Sequence, residues 1–534
     1  MNFSKQERYA FFGTLLFGLL AHAHMLTNNY QYHDDVGFYA LGAGFQLGRG
    51  SNVILGKLFR LFFGGDIISL SLFNGIIALI FLALTAVLVV RILKLKNYIF
   101  AALIGGIMAV FPSVTSNFGY RYQAYAWALT FLLSASGVYL ITEGKFYAPA
   151  RYFICVMFQV FAIGIYQAVI PFTLSLATLY IFRHYIEENC TWKNYFGEIL
   201  KWSGISAAFM ALYALCTILP YWVFLLMGKE FKLSGYQGIN EAGNISFSEI
   251  INRIFTAYKE AFFPPLNTSG DMYPMSVRFF FYVILIISVC LTVKIIINLY
   301  SHSVRKCLQC VITSLALPLM INFIYVMCNA EKTEIYSNME HAQIFVFVYL
   351  WLVIEIAIEQ NFITQDTAKN YLSRTALILT GIVCLLYIRF DNICYLMADY
   401  MQKRAVSYFT VLQSRIQSIP GYRDDYPVVL VNRYDKSRQN VTHTKQWDDI
   451  YIPPYNMEKH VEGDILDNYT WVKFMNMHVG FSPEVYYAGN EYVFDNPKRI
   501  LKLDTETETQ VNLMNRYPSD GSIKIIDGKV FVKF

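Results

Sequence analysis

The chain has 534 residues, of which 56% are apolar and only 15% charged. Soluble domains carry about a quarter charged residues, so this composition excludes an ordinary soluble protein and, at 17% aromatic residues, a disordered one. A net charge of +5, thinly scattered, leaves no nucleic-acid footprint, and no nucleic-acid partner is expected.

A membrane span needs about 20 mostly apolar residues. Lys5 and Arg8 precede an apolar run over 9–26 with no small-residue cleavage site after it, so the run reads as a retained first span. Further runs cover 68–93, 98–111, 123–141, 152–164, 168–182, 203–227, 279–299, 308–328, 344–358 and 376–388, which makes eleven. The two runs flanking Tyr166-Gln167 read either as one long bent helix or as two short ones. Short loops on the N-terminal side are dense in positive charge, among them Arg91, Lys94, Lys96, Arg183, Lys193, Arg305 and Lys306. That bias places the N-terminus inside, and eleven spans then place the tail outside. Three outer segments are long or polar, at 28–65, 228–277 and 329–340. The first is expected to carry an amphipathic helix over 36–45, and Pro264-Pro265 breaks any helix in the second.

From residue 399 charge becomes dense and no span follows. The stretch 427–432 reads as a buried strand, and 522–534 as a hairpin turning at Asp527-Gly528. Helices are expected at 401–416 and 468–477. The expectation is a mostly α, polytopic membrane core over 1–398 and a small α/β domain over 399–534, outside the membrane. Of nine cysteines none follows Cys394, and the CxxC pair Cys307 and Cys310 lacks the partners of a zinc ribbon. P-loop, dinucleotide-binding, HExxH and GxSxG motifs are absent from the sequence.

Candidate chemistry gathers in the outer segments. Asp34 and Asp35 are the only carboxylates between Glu7 and Asp66, and they sit among Tyr30, Tyr32, His33 and Tyr39. A carboxylate there can act as general base on a sugar hydroxyl or hold a divalent cation, Mg or Mn. Neighbours on an extended segment point in opposite directions, so one acid faces the reaction and the other holds structure. The plain alternative is two solvated charges at a helix start, with Asp35 as its cap. Arg49, between two glycines, and Arg121, the sole basic residue of its loop, are candidates for a lipid phosphate, followed by Lys259 and Lys332. Either arginine reads equally well as a headgroup anchor. His33, Tyr122, Tyr166, Gln167, Glu331 and Tyr336 are candidate sugar-binding groups, against the alternative of solvated loops and helix-to-helix bonds.

The acidic pair with His33, Gly48-Arg49, the Tyr166-Gln167-Ala168 turn and a polytopic core followed by a small tail resemble the Gtr type II family. Those are O-antigen serotype-converting glucosyltransferases, membrane glycosyltransferases of GT-C type. The resemblance spans most of residues 1–390. It implies a hexose, usually glucose, carried on a polyprenyl phosphate, and a lipid-linked or lipopolysaccharide O-antigen acceptor at the outer face of the inner membrane. It also implies displacement with inversion, in which an acid of the pair activates the acceptor hydroxyl and basic residues stabilise the departing phosphate. Two rival readings are a polysaccharide polymerase or ligase and a lipid-linked-sugar flippase. A flippase needs ionisable groups near the midplane and repeated halves. Here Lys294 and Glu355 are the main charges inside spans, and no repeat is visible.

Overall fold

The computed structural model describes residues 3–29, 31, 35–36, 44–64, 69–145, 147–188, 190–228, 245–263, 272–328, 335–432, 470–489 and 499–534. The expected helix over 36–45 lies almost wholly outside them. The chain divides into two compact units, one of Met1–Asn28 with Tyr39–Cys394 and one of Asn29–Phe38 with Tyr395–Phe534.

The first unit is helical. Its elements are α1 (Lys5–Thr27), α2 (Gly50–Phe63), α3 (Ser71–Ile92), α4 (Tyr98–Val110), α5 (Pro112–Phe118), α6 (Ala124–Thr142), α7 (Ala148–Ile165) and α8 (Ile170–Glu187). There follow α9 (Trp192–Leu226), α10 (Phe247–Phe262), α11 (Met275–His302), α12 (Val304–Ile321), the single turn α13 (Ile324–Met327), α14 (Ile344–Glu359) and α15 (Asp366–Gln417), whose residues from Tyr395 on belong to the second unit. Among the described residues ten helices are long and apolar enough to cross a membrane, and the pair α4–α5, bent by 42°, makes eleven as one span. The protein is therefore a polytopic membrane protein. Pro112 causes the bend: it has no N–H to give α4 and forces Phe111 into an extended conformation. Around Tyr166 the chain forms two spans, α7 and α8. The run over 308–328 ends early, because α12 stops at Ile321 and only one further turn forms.

α1 opens with a capping box, Ser4 accepting from the Glu7 N–H while Glu7 accepts from that of Ser4. It crosses α4 with the backbones nearly touching. A Cβ on Gly13 would lie 2.5 Å from the Ala102 carbonyl oxygen, and one on Gly105 would lie 2.3 Å from that of Ala10. Hydrocarbon gives helices no hydrophobic drive to associate, so such close approach and buried hydrogen bonds hold them together. One knot of this kind joins three helices. Gln159 of α7 donates to the Ser134 carbonyl of α6 at 3.1 Å, and its own Oε1 accepts from Ser134 at 3.1 Å and Thr173 of α8 at 3.0 Å.

Charge collects at the end of the bundle where α1 begins. Arg183 donates to Glu187 at 2.6 Å, Glu359 at 2.8 Å and the Leu93 carbonyl at 2.7 Å. Glu355 takes the backbone N–H groups of Lys96 and Asn97, each at 2.9 Å. Glu7 pairs with Arg91, and Lys96 with Glu359.

The second unit holds a four-stranded sheet in the order β2-β1-β4-β3, made of β1 (Val428–Val431), β2 (Val485–Ala488), β3 (Ile523–Ile526) and β4 (Lys529–Lys533). β1 is parallel to both β2 and β4, and β3 with β4 forms the expected hairpin. Asp527 and Gly528 both adopt positive φ, 47° and 70°, as a tight two-residue hairpin turn requires. β1 is buried along its whole length. Val429, Val431 and Phe531 pack with Val511 and Met514 from and just beyond α17 (Thr505–Asn512), which follows the short α16 (Trp471–Phe474). The expected helix at 401–416 is the last part of α15, a single helix of 52 residues.

Gln159→Leu removes the amide that joins α6, α7 and α8. It should lower stability by about 0.5–1.5 kcal/mol, read as a shift in the unfolding midpoint of detergent-solubilised protein, while membrane insertion is retained.

Candidate active site

Opposite the charged end, where α1 finishes, the chain enters α2 through a one-turn helix at Phe45–Leu47. The turn is fastened by the Arg49 N–H donating to the Gly44 carbonyl at 2.7 Å. Gly48 has φ +68°, and a Cβ there would lie 2.4 Å from the Tyr213 hydroxyl. Only glycine meets both conditions without strain. Gln167, from the turn between α7 and α8, donates to the Leu47 carbonyl at 2.7 Å and to Tyr213 Oη at 3.0 Å. Tyr213 of α9 in turn donates to the Gly48 carbonyl at 3.1 Å. Two side chains thus grip the peptides on either side of Gly48 and fix the start of the next residue.

That residue is Arg49. Its guanidinium lies 5.2 Å from the centroid of the Tyr166 ring, within cation–π range. Its Nε is buried without a partner, and among the described residues no carboxylate pairs with it. Arg49 also stands at the N-cap of α2, where the helix dipole favours an anion. Tyr166 is held by its hydroxyl donating to Asn338 Oδ1 at 2.9 Å, and the Asn338 carbonyl accepts from Trp127 at 3.3 Å. Tyr166 and Tyr336 pack against the same buried cluster, which includes Ala168, Ala257, Tyr325 and Met339. Lys259 is exposed on α10, two residues beyond Ala257.

The structure therefore brings Arg49, Tyr166 and Gln167 together, with Tyr336 alongside. Arg121 differs: it is 1% exposed, its guanidinium bonds Ser71, and its carbonyl accepts from Asn74 at 3.0 Å. It pins α3 to the turn before α6, so burial favours an anchoring role. Tyr122 beside it is also buried. Asp35 is fully buried in the second unit and, with Val36, helical. Nearby Gln31 is tied down there: its N–H donates to Gln402 at 3.3 Å, and its Oε1 accepts from His478 at 2.9 Å. His33, Asp34, Glu331 and Lys332 lie outside the described residues.

Sequence reasoning passed over several groups. Tyr213 is hidden in an apolar run. Asn338 and Glu340 were visible only as polar letters in the third outer segment. Glu340 is 3% exposed and accepts from Tyr325 at 2.6 Å and Gln343 at 3.0 Å. Gln343 also accepts from Tyr273. Burial, reinforced by Glu340 and Glu260, holds the Tyr273 phenol well above its usual pKa, so it stays a donor. Asp391 of α15 is fully buried and accepts from Thr115 at 2.7 Å. At the charged end, ligand atoms of His184, Glu188 and Cys190 lie within 4.8 Å of one another. That cluster is remote from Arg49, and its acid is exposed.

Gly48→Ala should destabilise the turn by about 1–2 kcal/mol through its left-handed conformation, and more through the Tyr213 contact. Adding Tyr213→Phe removes the clashing oxygen, so the double variant should lose less than the sum of the single losses. Unfolding and transfer assays on the three variants read this directly.

The family described as Glucosyl transferase GtrII matches residues 23–354. That range contains Arg49, Arg121, Tyr166, Gln167, Tyr213, Asn338 and Glu340. No curated protein and no solved structure gives a match. The match covers more than half of the chain, and with the spans described above it establishes that the chain belongs to the GtrII family of glucosyl transferases and is a membrane glycosyltransferase.

Proposed function

We propose that the protein moves a hexose, glucose in the first instance, from a polyprenyl-phosphate donor to a cell-surface glycan such as lipopolysaccharide O-antigen. The reaction is a displacement at the anomeric carbon with inversion, on the outer face of the bacterial inner membrane, in an enzyme of GT-C type. The observation that carries this reading is Arg49: a guanidinium with no carboxylate partner among the described residues, at a helix N-cap, laid on Tyr166 and fixed through Gly48. A planar guanidinium can hold two phosphate oxygens while one face rests on a ring.

In the proposed step the acceptor hydroxyl attacks the anomeric carbon as the bond to the phosphate oxygen breaks. One acid of Asp34 and Asp35 takes the hydroxyl proton. Negative charge grows on the departing lipid phosphate, where Arg49 stabilises it. Phosphate leaves without a general acid. Gln167, Tyr213 and Asn338 position Arg49 and Tyr166, while Tyr336 and the outer segments supply hydroxyl-binding groups. A divalent cation, Mg or Mn, would fit the acidic pair by its oxygen donors, and the step as written needs none.

The test is transfer by purified protein from a panel of polyprenyl-phosphate sugars to host lipopolysaccharide, with and without chelator. Asp34→Asn and Asp35→Asn should be unequal, one losing about 10²–10⁴-fold in rate and the other losing mainly stability. Arg49→Lys should reduce transfer sharply, because a point charge cannot replace a bidentate fork, while Arg121→Lys should act chiefly on stability. Near-normal transfer in both Asn variants and in Arg49→Lys would remove the site assignment. Use of lipid-linked oligosaccharides in preference to monosaccharide donors would favour a polymerase or ligase.

The Lys and Arg bias supports a cytoplasmic position for the charged end of the bundle. A phosphatase fused after Phe534 should then be active and a fluorescent protein dark. The reverse pattern would overturn the proposed orientation.

A further inference from the structure

At its charged end the bundle carries three side chains that neither the helix packing nor the candidate active site uses. His184 stands on the last turn of α8, Glu188 is the C-cap of that helix, and Cys190 lies in the linker just before Thr191, the N-cap of α9. Ligand atoms of the three lie within 4.8 Å of one another. His184 Nδ1 is 3.4 Å from Glu188 Oε1, and the Cys190 thiol donates to Glu188 Oε2 at 3.9 Å. Among the described residues these side chains make no other hydrogen bond or ion pair. The charges around them are already engaged. Glu187 pairs with Arg183 at 2.6 Å, Glu198 pairs with Lys201 at 2.5 Å, and Lys306 donates to the Ile186 carbonyl at 3.1 Å.

The donor set and its spacing suit a borderline divalent cation. Zinc takes thiolate sulfur at about 2.3 Å, imidazole nitrogen at about 2.0–2.1 Å and carboxylate oxygen at about 2.0–2.2 Å. Arranged tetrahedrally, those bonds put neighbouring ligand atoms about 3.4–3.6 Å apart. The nitrogen–oxygen separation already has that value, and the sulfur–oxygen separation is only slightly longer. The imidazole is also held in advance. It stacks on Tyr180 with centroids 5.6 Å apart and stands edge-on to Tyr185 at 5.0 Å, and the Tyr185 hydroxyl donates to the Asn194 carbonyl at 2.8 Å. A ring oriented by its neighbours loses little freedom when it ligates. The site closes the C-terminal end of an 18-residue helix, where the dipole favours a cation.

We infer that the turn between α8 and α9 binds one zinc ion through His184, Glu188 and Cys190. The Cys190 thiol proton leaves to solvent, the imidazole ligates in its neutral form, and water takes the fourth position. Sulfur with nitrogen selects zinc against magnesium, which prefers oxygen alone. The ion ties the last turn of α8 to the linker that starts α9, a connection that sequence neighbours alone do not fix.

Full-length protein in detergent, stripped with chelator, should take up one equivalent of Zn2+ per chain in competition with a chromophoric chelator, and excess Mg2+ should not displace it. Co2+ in its place should show the near-ultraviolet band of a thiolate–cobalt bond and the visible bands of a tetrahedral ion. Cys190→Ser, His184→Gln and Glu188→Gln should each weaken Zn2+ binding by at least about 10–100-fold, the scale for losing even a partner behind a metal ligand. Cys190→His should restore Zn2+ binding and still lack the thiolate band, which separates ligation from misfolding. Cys216→Ser removes an exposed thiol of α9 and should match the parent. No stoichiometric ion, displacement by Mg2+, a thiolate band that survives Cys190→Ser, or Zn2+ affinity unmoved by the three ligand substitutions would overturn the site and leave an exposed ion pair beside a thiol.

Discussion

A hydrocarbon surround offers no water to polar groups, so each must find its partner within the chain. That constraint sorts the first unit. Its middle admits few polar side chains, and those are knotted across helices, as Gln159 is with Ser134 and Thr173. Ion pairs collect at one end, around Arg183, Glu355 and Glu359. The other end holds fewer: Arg253 pairs with Glu249 at 2.6 Å, Glu340 accepts from neutral donors, and Arg49 has no carboxylate partner among the described residues. A cation beside a polar, aromatic turn is costly to bury unless an anion compensates it.

The positions of the helices were legible because burial in lipid writes itself as long apolar runs. The hairpin at Asp527-Gly528 was legible because two positive φ angles in a row demand such residues. Arg49 and Gln167 could be picked out as polar letters at span ends, but the bond between them could not. It joins residues far apart in sequence through the Leu47 carbonyl, and a carbonyl has no letter. Tyr213 escaped for another reason: in an apolar run a tyrosine counts as one more hydrophobic residue, and its hydroxyl matters only once α9 faces Gly48. Asp391 was lost at the edge of its run, where a carboxylate resembles the end of a span. The early stop of α12 was also hidden, since the apolar letters continue through the break at Asn322.

The site illustrates how little sequence can carry a precise arrangement. Gly48 contributes no side chain, yet its left-handed backbone and its missing Cβ allow Tyr213 to reach the main chain. Gln167 contributes one amide and grips both partners. The arginine's backbone N–H helps close the turn, and its side chain rests on Tyr166. Orientation is supplied by neighbours, which leaves the guanidinium edge free for chemistry.

The second unit draws on both ends of the chain. The Gln31 side chain bonds to His478, 447 positions later, and its backbone bonds to Gln402, 371 positions later. During synthesis at about 5–20 residues per second, the segment after α1 therefore emerges tens of seconds before the tail that completes its surroundings. The membrane helices up to α14 can form and pack while this segment still lacks its partners. Assembly of the membrane bundle and completion of the acidic segment are separate events in time, and a ribosome that stops before the tail leaves a bundle inserted but unfinished.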